Sequence, residues 1–383
     1  MTMATSWQRG IAILTGIYVS RMLGLFMVFP VFSLYASELA GANKTLVGVA
    51  LGIYGLSQGL LQLPCGWLSD RFGRKPVIAA GLLLFVAGSL LAATATTITM
   101  MIAARAVQGM GAIAAVTLAY ATDITPGEKL GKVMAILGGS IGMAFVLSLI
   151  IGPLVAAWIG VAGLFYLIAL IAGLALVASL RLPPVATRPQ TAATGRYDKR
   201  QLMQAAAAIF FLHGVFTATF LVLPPLLVDA GIGKANHWWL YLPANFVALC
   251  FMRVKATPHP LNFGISYLLL AVGTGLLAMP FGTWWLLFAL SIYFIAFYRL
   301  ETGLPHWVAH IASPDARGRA MGLYSSAQFL GSFCGGAVAG RLWHDLPPAV
   351  VLLPLVAVCA CAALLLLKIG KTTTLRAATH SNP

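Results

Sequence analysis

The sequence predicts an all-α integral membrane protein of twelve spans, arranged as two six-helix halves, and three observations carry that reading. The 383-residue chain is 60% hydrophobic and 9% charged, whereas soluble domains hold roughly 25% charged residues. Its apolar residues gather in runs of ~20, the length a helix needs to cross ~30 Å of hydrocarbon. One long polar connection, "RLPPVATRPQTAATGRYDKR" (181–200), lies near the midpoint. The runs do not alternate in polarity as barrel strands do, so helices are left to satisfy the backbone in lipid.

The first run, from Ile11 to about Ala36, is too long for a signal-peptide core and reads as a retained span. The next five cover about 45–67, 76–96, 98–121, 133–158 and 161–181. After the connection come about 202–229, 238–254, 261–281, 283–311, 319–342 and 348–369. The eighth run reads as shortened. The expected organisation is a six-helix bundle over 1–181, a cytoplasmic linker over 182–200, a second bundle over 201–371 and a short cytoplasmic tail over 372–383.

A formal charge of +15 raises the question of nucleic acid, but its placement answers it. Lys and Arg collect on the cytoplasmic side of a membrane. With both termini inside, the outside loops hold only Lys44, Lys234 and Arg341, while Arg21, Arg105 and Arg299 fall within spans. The other eighteen of the 24 basic residues then face the cytoplasm. The partners implied are a lipid bilayer and no nucleic acid. The cysteines (Cys65, Cys250, Cys334, Cys359 and Cys361) lie in or beside apolar runs and form no disulfide or metal pattern. No Gly-x4-Gly-Lys-Ser/Thr loop is present, so ATP-driven transport has no support. No paired acids, metal-ligand cluster or activated nucleophile indicate an enzyme, and no cofactor or metal is expected.

Charge concentrates in "GWLSDRFGRKP", between the second and third runs, which holds Gly66, Asp70, Arg71, Gly73, Arg74 and Lys75. Glycine permits a tight turn between antiparallel helices, and the basic cluster pins the loop to the cytoplasmic face. This stretch resembles the signature loop of the major facilitator superfamily. "RAVQGMGAIAA" in the fourth run is similar to that superfamily's Arg-x-x-Gln-Gly-x-Gly motif. In the fifth run Gly139, Ser148, Gly152 and Pro153 follow the spacing of the motif of its drug:proton antiporter branches, with Ser or Ala replacing three glycines. "LGLFMVFPV" in the first run is similar to a Leu-Gly-x5-Pro-Val element of those branches. Together with "HWWLYL" and "MGLYSSAQFLG", these stretches resemble the YajR group of bacterial efflux transporters. That group carries a soluble domain after the last helix, and this chain is read as having none. The resemblance implies that Arg74 pairs with Asp123, that Asp70 faces the start of span eleven near Gly318–Met321, and that these contacts close a cytoplasmic gate. It also implies that Arg105 organises the first half and tunes proton movement; the alternative role is to hold helices by hydrogen bonds.

Ionisable groups inside spans are costly and therefore candidate functional residues. Glu301 is the only acid well inside a span. It reads either as a proton-coupling site or as an ion-pair partner that holds helices together. His213 has the side chain whose ordinary range suits proton exchange, though a hydrogen bond between helices would also explain it. Proton-coupling candidates are thus Glu301, His213 and Arg105. Tyr54, Gln58 and Gln62 recur at i, i+4 and i+8, and Tyr324 and Gln328 at i and i+4. With Gln108 and Arg21 they are candidates for lining a substrate cavity, or for bonding between helices. Arg21, toward the inner end of its span, is expected to snorkel to the interface. Gly52-x-Tyr54-x3-Gln58 is echoed by Gly322-x-Tyr324-x3-Gln328, as nested repeats would produce.

These features lead to the expectation of a proton-coupled secondary transporter, monomeric, in a bacterial inner membrane. Its substrate would be a small hydrophobic or drug-like compound, exported by alternating access. A sugar or metabolite exporter of the same fold, or a non-transporting receptor or scaffold, are the alternatives.

Overall fold

The computed structural model describes residues 3–183, 196–251, 259–279, 281–313 and 316–380. Most of the expected linker and the segment after the eighth run lie outside these residues. The chain divides into two compact units, 1–194 and 195–383.

In the first unit, α1 (Met3–Phe26) and α2 (Phe32–Ala36) make up the first span. Turns over residues 27–31 separate them, at Pro30, whose ring supplies no backbone N–H. Asn43 caps α3 (Lys44–Phe72), its side chain accepting from the Leu46 N–H at 2.8 Å. Gly73 alone separates α3 from α4 (Arg74–Ala93), at φ 92° and ψ 153°. Only glycine visits that region routinely, so the turn occupies one residue. Thr97 caps α5 (Ile98–Met110), and α6 (Ala114–Ile124) follows. The fourth span is therefore not one continuous helix, as the sequence reading took it. It breaks at 111–113, starting at Gly111, a poor helix former, where a Cβ would collide with the Gly81 carbonyl of α4.

The fifth and sixth spans are continuous in α7 (Leu130–Ser179) except at Gly160, at φ 73° and ψ 172°. An unbroken helix of that length would run about 75 Å, more than twice the hydrocarbon core. Gly160 folds it into a hairpin. Ser148 and Gly152 lie beside Leu23 of α1 and Met27 just after it, whereas Ile168 returns to Gly24.

The second unit holds α8 (Lys199–Asp229), α9 (Trp238–Phe251), α10 (Pro260–Leu277), α11 (Thr283–Ile311), α12 (Arg317–Asp345) and α13 (Pro348–His380). Asp198 caps α8, accepting from the Gln201 N–H at 3.0 Å. Contact with two Gln201 N–H groups holds the Asp198 carboxyl below its ordinary range. α8 packs closely on α12, through Gly214 of the one and Gly331 and Gly335 of the other. α10 packs on α11 and α13, and α9 on α11. Among the described residues, nine helical segments are long and apolar enough to cross a membrane, with 127–179 counted once. Counting that hairpin as two, and adding the 14-residue α9 and the Gly- and Ser-rich α12, gives twelve spans. The protein is a multi-pass, all-α integral membrane protein.

Candidate functional site

Where α3 meets α4, each charge of the Gly66–Pro76 stretch has a partner or a stacking surface. Arg74 is the hub. Its Nε donates to Asp123 Oδ2 at 3.1 Å, its Nη1 to Ser69 Oγ at 2.5 Å, and Nη1 also pairs with Asp70 four residues back, across the Gly73 turn. Lys75 Nζ donates to the Leu180 carbonyl at 2.6 Å, at the end of α7, where the last carbonyls of a helix attract a cation. Arg71 lies over the exposed rings of Trp67 and Phe72, 5.7 and 5.6 Å from their centroids. Gly66, by contrast, sits within α3 with open space where a Cβ would be. Ser69 was not singled out from the sequence; only its place one residue before Asp70 hinted at it.

Deeper in the same unit, Arg21 and Arg105 are both buried, at 2% and 0% exposure. Arg21 therefore does not snorkel. Position along a span does not fix the rotation of a helix, and α1 turns Arg21 toward α3. There its Nη2 donates to Gln58 Oε1 at 2.9 Å and to the Tyr54 hydroxyl at 3.2 Å. Gln62, one turn further, is buried as well. Arg105 lies over the Tyr54 ring, 4.9 Å from its centroid. Its Nη1 donates to Gln108, whose Nε2 donates to Ser89 Oγ on α4 at 2.8 Å. Gly109 and Gly88 let the three helices approach: a Cβ on either would strike the Tyr54 carbonyl or the Gln108 backbone. Ala112 lies in the break after α5.

The small-residue pattern of the fifth span holds only in part. Ser148, Gly152 and Pro153 are buried, Gly152 against the Met27 carbonyl, and Ser148 Oγ donates to the Leu23 carbonyl at 3.4 Å. Gly139 is exposed and packs against nothing. At about 100° per residue, nine residues carry it half a turn away from Ser148.

In the second unit three residues singled out separately meet. His213 Nε2 on α8 lies 2.9 Å from Glu301 Oε2 on α11. Gln328 Nε2 on α12 donates to Glu301 Oε1 at 3.1 Å and lies 2.7 Å from His213 Nε2. Phe216 and Phe297 flank the imidazole. Arg299 turns away to Ser266 Oγ at 3.3 Å, so it does not pair with Glu301. Tyr324, one turn before Gln328, is buried. The sequence echo thus extends to contacts: in each unit the glutamine of a Tyr-x3-Gln pair bonds an ionisable residue. Sequence reading missed the bond between Thr217 and Ser332 at 2.6 Å and that from Tyr298 to Asn245 at 2.5 Å. Lone hydroxyls and amides within apolar runs were the only signal.

Known proteins fit this architecture. A family model for the Major Facilitator Superfamily matches residues 14–258. The chain is 35% identical to the inner membrane transport protein YajR of Escherichia coli K12, over 85% of this chain and 75% of that protein. It is 26% identical to the multidrug resistance protein MdtH of Aeromonas salmonicida, over 85% of each. The crystal structure of the human organic anion transporter MFSD10 superposes with a TM-score of 0.72 at 18% identity, covering 94% of this chain and 99% of that one. At that identity the likeness concerns the fold alone. With its helices, its charged α3–α4 turn and a family match over more than half its length, this chain belongs to the Major Facilitator Superfamily of membrane transporters.

Proposed function

We propose that this protein is a proton-coupled exporter of small hydrophobic or drug-like compounds, working by alternating access, with Glu301 and His213 as its proton site. The contact among His213, Glu301 and Gln328 carries the reading. His213 Nε2 offers one hydrogen-bonding position and faces two partners, at 2.7 and 2.9 Å. If Nε2 carries a hydrogen, it donates to the Glu301 carboxylate and opposes the Gln328 amide N–H. If Nε2 is bare, it accepts from Gln328, and the carboxyl must hold the proton between itself and the ring. With Gln328 Nε2 toward the ring, the carboxylate and the amide share one imidazole position, so a proton arriving or leaving changes which of them the ring bonds. Glu301 belongs to α11, and its two partners belong to α8 and α12, so that change is felt by three helices.

The drug-like substrate class draws on the names of two relatives, the multidrug resistance protein MdtH and the class H tetracycline resistance protein of Pasteurella multocida. In this reading the two units are the moving halves, joined by a cytoplasmic linker over 182–200. The tail 372–383 and both termini are cytoplasmic, the membrane is a bacterial inner membrane, and the protein acts as a monomer. Asp70, Arg74 and Asp123 form part of the cytoplasmic gate, and Tyr54, Gln58, Tyr324 and Gln328 contribute to the substrate path. The test is substrate-driven proton flux in proteoliposomes. Glu301→Gln should lower it at least tenfold while the purified protein keeps its melting temperature. A variant that moves protons as the wild type does would remove Glu301 from the coupling role.

A further inference from the structure

Arg21 and Arg105 are two buried cations with no carboxylate beside either among the described residues of the first unit. In the first unit Asp70 and Asp123 are taken up by Arg74, at the end of α3. A guanidinium cannot shed its charge as a buried lysine can. The groups that touch these two are neutral: Tyr54 and Gln58 for Arg21, Gln108 and the Tyr54 ring for Arg105. Neutral acceptors satisfy some N–H groups and leave the charge uncompensated.

Donor capacity is left over as well. Arg21 Nε and Nη1, and Arg105 Nε and Nη2, are buried without a hydrogen-bond acceptor. In Arg105, Nε and Nη2 point to the same side, and that edge is the fork that takes a carboxylate through two parallel hydrogen bonds. Both cations meet at one residue, since Arg21 donates to the Tyr54 hydroxyl while Arg105 lies on the face of the same ring. Phe85 continues the aromatic surface, with Arg21 5.4 Å from its centroid and its ring edge-on to Tyr54.

We propose that Arg21 and Arg105 form a subsite for the oxyanion group of an amphipathic organic anion, with Tyr54 and Phe85 receiving its aromatic or aliphatic body. The inference rests on the transporter reading above and narrows its substrate class to molecules that are hydrophobic and negatively charged. The first unit would then supply recognition, and the proton site would lie in the second.

Three naphthalene probes of one shape and different charge test this: 1-naphthoate, 1-naphthylmethanol and 1-naphthylmethylammonium. Each is titrated calorimetrically into the full-length protein in zwitterionic nanodiscs, with empty nanodiscs subtracting lipid partition. Naphthoate should bind at least tenfold more tightly than the alcohol, and the ammonium more weakly still. Arg105→Gln should bring naphthoate down to the level of the alcohol, whereas Arg105→Lys should keep part of the preference. Equal affinities in the wild type, or no measurable naphthoate binding, would overturn the proposal, and that comparison decides the matter even if the variants do not fold. Preference retained by a folded Arg21→Gln, Arg105→Gln double variant would overturn it too. No proton gradient is applied, so failure here leaves the proton reading untouched, and failure of proton flux leaves this binding result untouched.

Discussion

Separating Arg74 from Asp123 should cost a definite amount, and the structure sets its size and asymmetry. The pair is 3.1 Å apart, with side chains 16% and 34% exposed. At an effective dielectric of ~20 the direct Coulomb attraction is about 5 kcal/mol. Solvent reaches Asp123, and two side chains must be held in register, so exposed pairs return only ~0.2–1 kcal/mol. With Arg74 the more enclosed partner, a coupling of about 1 kcal/mol is expected. Arg74→Gln should destabilise more than Asp123→Asn, because Arg74 also serves Asp70 and Ser69. Asp123→Asn leaves those two contacts in place. The assay is a double-mutant cycle: wild type, Arg74→Gln, Asp123→Asn and the double variant, compared by denaturant unfolding of the purified protein in detergent. Raising salt from 0.05 to 0.5 M (about 14 Å to about 4 Å of screening length) should shrink the coupling without abolishing it. A coupling below about 0.3 kcal/mol, or equal costs for the two single variants, would refute the hub assignment.

Two glycines should fail for opposite reasons. A Cβ at Gly331 would strike the Phe210 carbonyl of α8, so Gly331→Val should force α8 and α12 apart and cost ~1–3 kcal/mol. At Gly160 nothing lies within 4 Å of a Cβ, so Gly160→Ala should cost a similar ~1–3 kcal/mol through backbone strain alone. Shortening Phe210 should rescue neither, since the first clash is with backbone and the second is conformational; unchanged unfolding midpoints would contradict both. His237, in the loop before α9, has its imidazole pushed down to about 4 by burial. Because the folded state binds that proton later than the unfolded state, stability is full above about pH 6.5 and is lost as pH falls toward 4, by up to about 3 kcal/mol. His237→Gln keeps a donor for the Ile232 carbonyl and should flatten this slope between pH 7.5 and 5. Parallel melting curves for the two proteins would dismiss the assignment.

The twelve spans were legible because lipid demands a length of apolar helix, and length survives in one dimension. The turn at Gly73 and the pairing of Arg74 with Asp123 followed from the motif they belong to. Rotation about the helix axis was not legible. Arg21 was expected at the interface and lies inside; Gly139 was expected in a packing seam and faces outward. Nor did the sequence reading place the break after Met110, although Gly111 supplies a local helix breaker there. His213, Glu301 and Gln328 each drew attention as polar residues in apolar runs. Their meeting spans 88 and 115 positions of chain, and no local pattern encodes it.

The α3–α4 turn also has an order in time. Asp70 lies four residues before Arg74, whereas Asp123 lies 49 after it and the Leu180 carbonyl 105 after Lys75. At ~5–20 residues per second of synthesis, Asp123 would be made about 2–10 s after Arg74, and Leu180 about 5–20 s after Lys75. During biogenesis Asp70 can hold Arg74 before its later partners exist. Asp123 and Leu180 then take up the Arg74 and Lys75 donors as α6 and α7 enter the bundle, so a contact made locally at the start becomes a late fastening of the completed half.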